Sequence, residues 1–250
     1  MEVFDNYAYY YNTFYRDKDY KAEAGQIHAL LTKYGNTVKH LINFGCGTGM
    51  HDVELADMGY QCTGIDMSQW MIDIARKNSA ARDIDFFVSD MRDYKACRKY
   101  DAVLSLFHVM SYQNTNEDIL AAFRSARTAL TEGGIFLFDV WYGPGVLSDK
   151  PAIRVKEVQD DEYELVRIAR PTMHDQTNTV DVYYKILVID RKTHDTKTIR
   201  EIHSMRYFFR PELEYFLQKS GFELIDNLDC QTLGVTSYDS WTSYFVARAV

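Results

Sequence analysis

The stretch that decides the fold is His40-Leu41-Ile42-Asn43-Phe44-Gly45-Cys46-Gly47-Thr48-Gly49. It is an apolar run that ends in a glycine-rich turn, and a helical pattern follows over residues 52–58. Residues without a Cβ atom let the backbone approach a ligand, and the N–H groups at a helix start suit an anionic group. The glycine spacing is GxGxG and differs from the GxGxxG of dinucleotide folds. We therefore predict a strand, a tight loop and a helix that together bind a small nucleotide-like ligand.

Acidic residues at the next two strand ends strengthen this prediction. Gly64-Ile65-Asp66 closes the second predicted strand, where a carboxylate can accept hydrogen bonds from both hydroxyls of a ribose. Ser89-Asp90-Met91 closes the third, where Asp90 can bind an exocyclic adenine amine and Met91 can pack on the ring. An isolated aspartate is usually a helix cap, but three consecutive strand ends of fitting chemistry favour a nucleoside site.

Strands alternate with helices through the first half of the chain, which is typical of a parallel, doubly wound α/β sheet. Further strands are predicted at 60–65, 85–89, 101–106, 135–140, 222–226 and 243–247, so that the sheet has seven strands. Ser68 is the predicted N-cap of a helix whose apolar face carries Met67, Trp70, Met71, Ile74 and Ala75. A helix over 117–130 is predicted to end at Gly133-Gly134.

Four β-rich runs between 153 and 209 lack helical periodicity and predict an antiparallel insert. The predicted domains are an aromatic helical cap (1–36), an α/β body (37–145 and 211–250) and the insert (146–210). Both faces of one insert strand are apolar, with Val182 and Tyr184 on one side and Tyr183 and Leu187 on the other. The insert is therefore expected to cover an acceptor pocket or to form a homodimer interface.

Composition narrows the class of protein. Of the 250 residues, 46% are hydrophobic and 26% charged, and the net charge of −8 argues against general nucleic-acid binding. No apolar run is long enough to span a bilayer and the first residues do not resemble a secretory signal, so a soluble cytoplasmic protein is expected. The four cysteines are scattered without CxxC spacing, which argues against structural zinc or a disulfide framework.

With these residues the sequence resembles the class I S-adenosylmethionine-dependent methyltransferases over residues 37–139. Within that superfamily it is similar to the nucleotide-sugar amino N,N-dimethyltransferases. The shared features are an aromatic block near the amino terminus, a lysine-to-glutamate segment, the glycine loop with a histidine, and two later segments. They are Tyr7-Ala8 with Tyr11 and Phe14-Tyr15, Lys18-Asp19-Tyr20 with Ala22-Glu23-Ala24, Gly45 to Gly49 with His51, Asp90-Met91-Arg92-Asp93-Tyr94, and Leu106-Phe107 with Tyr112.

The resemblance implies a Rossmann-like methyltransferase fold that uses S-adenosylmethionine, releases S-adenosylhomocysteine and needs no metal. The residues expected around the cofactor are Tyr15, Phe44, Gly45, Cys46, Gly47, Asp66, Met67, Asp90, Met91, Leu106 and Phe107. The acceptor, a small molecule such as a nucleotide-linked sugar, is expected near Tyr7, Trp141, Arg154 and His203. Insert arginines suit a diphosphate because guanidinium groups match phosphate oxygens, although any one of them is more often simply solvated.

The general base is left open at this point. Tyr112 aligns with the position that the sugar-amine family uses for its proposed base, but a tyrosine packing under a lid is nearly as good an explanation. His108 titrates in the useful range, and His203 beside Glu201 is a third candidate.

Three departures from the family pattern bear on function. Asn43 stands where the family carries an acid, His108-Val109 replaces a Ser-Ser pair, and Trp141-Tyr142-Gly143-Pro144 replaces a Trp-Trp-Phe-Pro stretch. The alternatives to an amino-sugar N-methyltransferase are an O-methyltransferase or a glycine-type N-methyltransferase on another metabolite, and a cofactor-binding module without catalysis.

Overall fold

The computed structural model describes residues 8–250. Seven α-helices lie within them: α1 (Ala8–Phe14), α2 (Tyr20–Tyr34), α3 (Met50–Asp57), α4 (Gln69–Asn78), α5 (Asn116–Ala129), α6 (Gly143–Ser148) and α7 (Arg210–Lys219). The strands are β1 (His40–Phe44), β2 (Gln61–Asp66), β3 (Asp85–Val88), β4 (Tyr100–Ser105), β5 (Leu130–Tyr142), β6 (Arg154–Gln159), β7 (Tyr163–His174), β8 (Thr179–Asp190), β9 (Thr196–Phe208), β10 (Phe222–Asp229) and β11 (Thr242–Ala249). A 3₁₀ turn spans Val109–Tyr112.

The central sheet has the strand order β3-β2-β1-β4-β5-β11-β10. Strands β1 to β5 are parallel, and β11 runs antiparallel to both of its neighbours. This confirms the predicted α/β class with a mostly parallel seven-stranded sheet. The carboxyl ends of β1 to β5 therefore meet at one edge, where such sheets bind ligands.

Strands β6 to β9 form an antiparallel unit that joins the central sheet at this same edge. Trp141 and Tyr142, the last residues of β5, pair in parallel with Tyr207 and Phe208 of β9. The pairing is only two residues long, yet it fixes where β9 leaves the central sheet. The unit therefore stands over the ends of the parallel strands.

The predicted amino-terminal segment packs against two different cores. Ala24, Ile27 and Leu31 of α2 are buried against the central sheet, in a cluster that includes Leu41 and Leu104. Phe14 of α1 is instead buried in a cluster of the antiparallel unit, with Leu165, Ile186, Val188 and Ile199. The short connection between the two helices thus spans the edge where β9 leaves the sheet.

Two local predictions were wrong. Gly133-Gly134 does not end the helix: α5 ends at Ala129, and both glycines lie inside β5, where Gly133 has a left-handed φ of +73°. Met67 and Trp70 do not belong to the buried face of α4, because they are 62% and 56% exposed. Ser68 does cap α4, which begins at Gln69, so Met67 lies before the helix. None of the helices within residues 8–250 is long and apolar enough to cross a membrane.

Candidate active site

A cavity of about 540 Å³ lies where the central sheet meets the antiparallel unit. Its walls come from the carboxyl ends of the parallel strands, from β9 and from the aromatic residues near the amino terminus. Fourteen of the residues predicted for the site line it: Tyr15, Gly45, Cys46, Gly47, Asp66, Met67, Asp90, Met91, Leu106, Phe107, His108, Tyr112, Trp141 and His203. The structure thus brings together residues that the sequence separates by almost 190 positions.

The glycine loop closes tightly between β1 and α3. Backbone N–H groups of Gly45 and Cys46 both donate to the carbonyl oxygen of Ile65, at 2.8 and 2.9 Å. Gly45 has a φ of +73°, and a Cβ atom there would lie 2.4 Å from Cγ1 of Val109. Only glycine fits such a position. At Gly47 the space where a Cβ would stand is open, so the loop backbone borders the cavity directly.

Asp66 anchors the second strand end. Its Oδ2 accepts the N–H of Gly47 at 3.0 Å and its Oδ1 accepts the N–H of Ser68 at 2.9 Å. Burial raises the pKa of this carboxyl above its usual range. Each carboxylate oxygen keeps a second lone pair, so the group can still accept hydrogen bonds from ligand hydroxyls.

Asp90 sits at the third strand end beside a residue that the site prediction omitted. Arg92 donates to Asp90 through its backbone and its guanidinium, and also reaches Asp118 at 2.8 Å. Burial raises the pKa of Asp90, but the bonds from Arg92 outweigh it and hold the pKa below its ordinary value. Asp90 is therefore an ionised acceptor on the cavity wall. Arg92 belongs to one of the segments that carry the family resemblance, but the sequence predicts no role for it.

The segment after β4 is strained at the cavity wall. Phe107 and His108 have φ values of +64° and +66°, a region that residues other than glycine adopt at a cost of about 1–3 kcal/mol each. Asp139 holds the segment, since its Oδ2 accepts the N–H of His108 at 3.0 Å and lies 2.5 Å from Nδ1 of the same residue. The imidazole of His108 therefore lies against the buried carboxylate of Asp139 in β5.

Lys18, Glu23 and His51, which belong to two separate motifs in the sequence, meet in one cluster. Glu23 contacts the ammonium group of Lys18 and lies 2.7 Å from Nε2 of His51. Burial raises the pKa of Glu23, but these partners outweigh it and lower the pKa to about 2. Lys18 also lies 4.1 Å from the centre of the Phe107 ring. The cluster therefore ties α2 to the glycine-loop helix and to the segment after β4.

A buried hydrogen-bond chain lines the side of the cavity formed by the antiparallel unit. The hydroxyl of Tyr112 lies 2.8 Å from Nδ1 of His203, and Nε2 of His203 lies 3.1 Å from Oε2 of Glu201. His203 and Glu201 are 2% and 4% exposed. A carboxylate can only accept, so the tautomer that matches a carboxylate at Glu201 has its proton on Nε2 and accepts from the Tyr112 hydroxyl at Nδ1. Burial raises the pKa of Tyr112 well above its ordinary value, so Tyr112 is a neutral phenol.

Two predicted residues are not brought into the cavity, and a third lies outside the part of the chain that the structure describes. Phe44 is fully buried in a core cluster beside Tyr94 and does not line the cavity. Arg154 lies exposed on the edge strand β6 and does not line the cavity. Tyr7 lies outside the described residues.

Several residues that line the cavity were not predicted from the sequence. Among them are Asn43, Tyr184, Ile202 and Met205, and behind the cavity wall lie the buried acids Asp52 and Glu201. Asn43 was noted only as a departure from the family pattern. Glu201 entered the sequence analysis only as the neighbour of His203. The remaining residues carry no local signal, since each becomes part of the site through pairing between strands or through helix packing.

Comparison with known proteins identifies the class of enzyme. Residues 42–134 match a family model described as a methyltransferase domain. The chain is therefore an enzyme of the methyltransferase class, as predicted.

The more particular likeness is to enzymes that act on amino sugars. The dTDP-3-amino-3,4,6-trideoxy-alpha-D-glucopyranose N,N-dimethyltransferase of Streptomyces venezuelae is 26% identical, over 88% of this chain and 91% of its own. The crystal structure of Streptomyces venezuelae DesVI aligns with a TM-score of 0.81 and 25% identity, over 100% of both chains. The SAM-bound structure of CalS10, an amino pentose methyltransferase from Micromonospora echinaspora, shares the fold with a TM-score of 0.77, at 20% identity and over 100% and 99% of the two chains.

Proposed function

We propose that this enzyme transfers a methyl group from S-adenosylmethionine to the amino group of a nucleotide-linked amino sugar. The observation that carries the proposal is one cavity with two chemically different walls. The glycine loop with Asp66 and Asp90 forms one wall, and Tyr112 and His203, with Glu201 behind them, form the other.

The first wall fits the methyl donor. Asp66 retains acceptor capacity for ribose hydroxyls, the open side of Gly47 admits a ligand against the backbone, and Asp90 with Met91 suits an adenine ring. Bound there, S-adenosylmethionine supplies an electrophilic methyl group on a sulfonium with a neutral leaving group. The protein's remaining tasks are to align the acceptor, to exclude water and to move one proton.

The second wall fits removal of that proton. As the nitrogen lone pair forms the new N–C bond and the S–C bond breaks, the acceptor nitrogen becomes positively charged and must lose a proton. Tyr112 accepts it while passing its own hydroxyl proton to Nδ1 of His203, and the resulting imidazolium is stabilised by Glu201. Of the three base candidates left open by the sequence, Tyr112 and His203 thus act as one unit.

The same groups favour nitrogen over oxygen as the nucleophile. An amine attacks in its neutral form, and only the product ammonium must then be deprotonated. An alcohol must instead lose its proton as it attacks, which needs a strong base. The proton acceptor behind Tyr112 is an imidazole, which is a weak base, so the Tyr112–His203 pair suits the first reaction better than the second.

The antiparallel unit contributes the acceptor side of the cavity and, in this proposal, the contact of a homodimer. The edge strand β6 and the residue before it expose Val155 at 58% and Ile153 at 66%. An exposed apolar edge is a ready surface for a second chain. Sedimentation of the purified enzyme checks this part, and a monomer at all concentrations contradicts it. A cytoplasmic location remains a prediction.

Incubation with S-adenosylmethionine and a matched pair of acceptors tests the function. The pair is a nucleoside-diphosphate amino sugar and the same nucleotide sugar with a hydroxyl in place of the amine. Mass spectrometry should show addition of methyl groups to the amino sugar alone. Methylation of the hydroxyl compound would favour an O-methyltransferase, and tight donor binding without turnover on a panel of amines and alcohols would favour a binding module.

A further inference from the structure

One edge of strand β9 borders the cavity. Among the described strands, only β8 pairs with β9 over residues 196–206, and the central sheet pairs with it only at Tyr207 and Phe208. Ile202 and Ser204 lie on the part of β9 with the open edge, and both line the cavity. Ile202 is also 50% exposed. The cavity therefore opens over this edge onto the outer face of the antiparallel unit, which is the face that carries the side chains of Ile202 and Ser204.

Three cations lie next to this opening. Arg200 is two residues before Ile202 on β9, and Lys185 lies directly opposite Arg200 on β8. Tyr183, two residues before Lys185, lies opposite Ile202 on one side and opposite Arg170 of β7 on the other. Because side chains alternate between the two faces of a strand, all five share the outer face. Arg170, Lys185 and Arg200 thus form a basic cluster around an exposed aromatic ring.

The basic cluster is not neutralised by its own neighbours. Side chains directly opposite each other on antiparallel strands have Cβ atoms about 4.5–5.5 Å apart, so like charges at such positions repel. None of the three cations forms a salt bridge within residues 8–250. Asp181 shares this face two residues before Tyr183, but it contacts Ser204 and lies 2.9 Å from Nε2 of His174. The cluster therefore suits a ligand that brings negative charge.

The cavity, in contrast, does not suit an anion. Among the described residues that line it, each cationic or imidazole side chain contacts a carboxylate. The pairs are Arg92 with Asp90, His51 with Glu23, His108 with Asp139, and His203 with Glu201. A diphosphate inside the cavity would lie against these carboxylates, whereas a diphosphate at the basic cluster would not. The charges therefore favour the outer face for the anionic part of an acceptor.

We infer that Arg170, Lys185 and Arg200 bind the diphosphate of a nucleotide-linked acceptor, whose base stacks on Tyr183. Guanidinium groups match phosphate oxygens, and the ring of Tyr183 is 42% exposed. A strand advances about 3.3 Å per residue, so Arg200 lies about 7 Å along β9 from Ile202. The sugar can therefore enter the cavity past Ile202 while the phosphates stay at the cluster. This inference rests on the proposed function, because it assigns a subsite to the acceptor named there.

Calorimetry with two probes tests the inference on the enzyme saturated with S-adenosylhomocysteine. The probes are uridine diphosphate and inorganic pyrophosphate. We expect Lys185→Ala and Arg200→Ala each to weaken both probes by about tenfold, because each removes a charged contact to phosphate. Tyr183→Ala should weaken uridine diphosphate by at least fivefold and leave pyrophosphate within twofold, since only the nucleotide has a ring to stack. Lys197→Ala is the matched control, because it removes one positive charge from the opposite face of β9.

The affinity for S-adenosylhomocysteine reports that each variant is folded. Unchanged affinity for uridine diphosphate in Lys185→Ala and Arg200→Ala, or an equal loss in Lys197→Ala, overturns the inference. In turnover assays, the Lys185→Ala and Arg200→Ala double variant should raise the KM of a nucleoside-diphosphate amino sugar by more than tenfold. A wild-type KM in that variant overturns the inference and leaves the proposed function standing. Wild-type enzyme that binds uridine diphosphate at the cluster but methylates no amino sugar overturns the proposed function instead.

Discussion

The two walls of the cavity differ in how the chain builds them. On the donor wall, Gly45, Asp66 and Asp90 follow consecutive strands, and the sheet brings their ends together by its topology alone. On the acceptor wall, Tyr112 and His203 are 91 positions apart, and Glu201 joins them only through the alternation of β9. The donor wall is made of local motifs, whereas the acceptor wall is made of tertiary contacts.

This difference matters for what substitutions should do. Donor-wall residues bind a ligand whose reactive atom lies elsewhere, so their loss should lower affinity. Acceptor-wall residues handle a proton that exists only during the reaction, so their loss should lower turnover. Variants that lower only affinity at the donor wall and only turnover at the acceptor wall would support this assignment of roles, and variants that lower both quantities at either wall would contradict it.

The largest effect is expected for Tyr112→Phe. Removal of the hydroxyl leaves the product ammonium without its proton acceptor and removes the hydrogen bond between Tyr112 and His203. Turnover should fall by roughly 10²–10⁴-fold, the range of a positioned acid–base group, while affinity for S-adenosylmethionine stays unchanged. Single-turnover rates combined with calorimetry separate the two quantities. A modest loss of turnover would mean that Tyr112 only orients the acceptor.

Behind the donor wall, Asp52→Asn should change how the free energy of unfolding depends on pH. The pKa of Asp52 is raised to about 7 in the folded protein, so between about pH 4 and pH 7 the folded state binds more protons than the unfolded state. Wild-type stability should therefore lose up to about 4 kcal/mol from this group as the pH rises through that window, with no further loss above it.

Asparagine carries no charge, so the stability of the variant should rise relative to that of the wild type between pH 4 and pH 8. Thermal unfolding of both proteins measures this difference. The difference between the two proteins is the measured quantity, because every other titrating group is common to both. A difference that does not change with pH would mean that Asp52 is not a buried ionisable group of the kind described.

Glu201→Gln tests the far end of the acceptor-wall chain. Glutamine can donate to Nε2 of His203, which allows the opposite tautomer and leaves Nδ1 unable to receive the proton of Tyr112. We expect turnover to fall by roughly 10–10²-fold and the pH dependence of turnover to change, as for a residue that orients a base. Glu164→Gln, on an exposed position of β7, is the matched control. An unchanged pH profile with reduced stability would indicate a structural role only.

The local features of the fold and of the candidate site could be predicted from the sequence. The strand, loop and helix around Gly45, the acid at Asp66 and the cap at Ser68 depend on contacts within a few residues, and the structure contains all three features. Asp52 could not be assigned, because it acquires its partner through helix packing against β1. Glu201 has its partner His203 two residues along β9, but this strand reaches Tyr112 only through long-range packing.

The errors have the same origin. Phe44 was placed at the cofactor because it precedes the glycine loop, but the alternation of β1 turns its side chain into the core. Arg154 was chosen for its charge, yet pairing leaves it on the outer edge of the antiparallel unit. Charge and sequence proximity select candidate residues, while strand register decides which of them reach the site.

Asp66→Ala should produce a smaller effect that belongs to the donor wall. The loss of hydrogen bonds to ligand hydroxyls should lower affinity for S-adenosylmethionine by at least tenfold, about 1.4 kcal/mol. Turnover at saturating donor should fall much less than in Tyr112→Phe. Calorimetry gives the affinity, and Asp73→Ala on the exposed side of α4 is the control for a general change of charge. An unaltered affinity would remove Asp66 from the donor site.

The smallest effect is expected at His108, which lies at the boundary between the two walls. Its imidazole contacts Asp139, and its backbone takes a left-handed φ of +66° that asparagine tolerates better than most residues. His108→Asn therefore removes the titratable ring while keeping the N–H that donates to Asp139, and turnover should fall by less than tenfold with its pH dependence preserved. His108→Val should cost more, because a β-branched side chain is strained at that φ, and the additional loss should appear as a lower unfolding temperature. If His108→Asn instead abolishes turnover and flattens its pH dependence while Tyr112→Phe is nearly silent, the proton leaves through His108 and Asp139. In that case both the donor and the acceptor would be served by the strand ends of the central sheet, and the antiparallel unit would only shape the cavity.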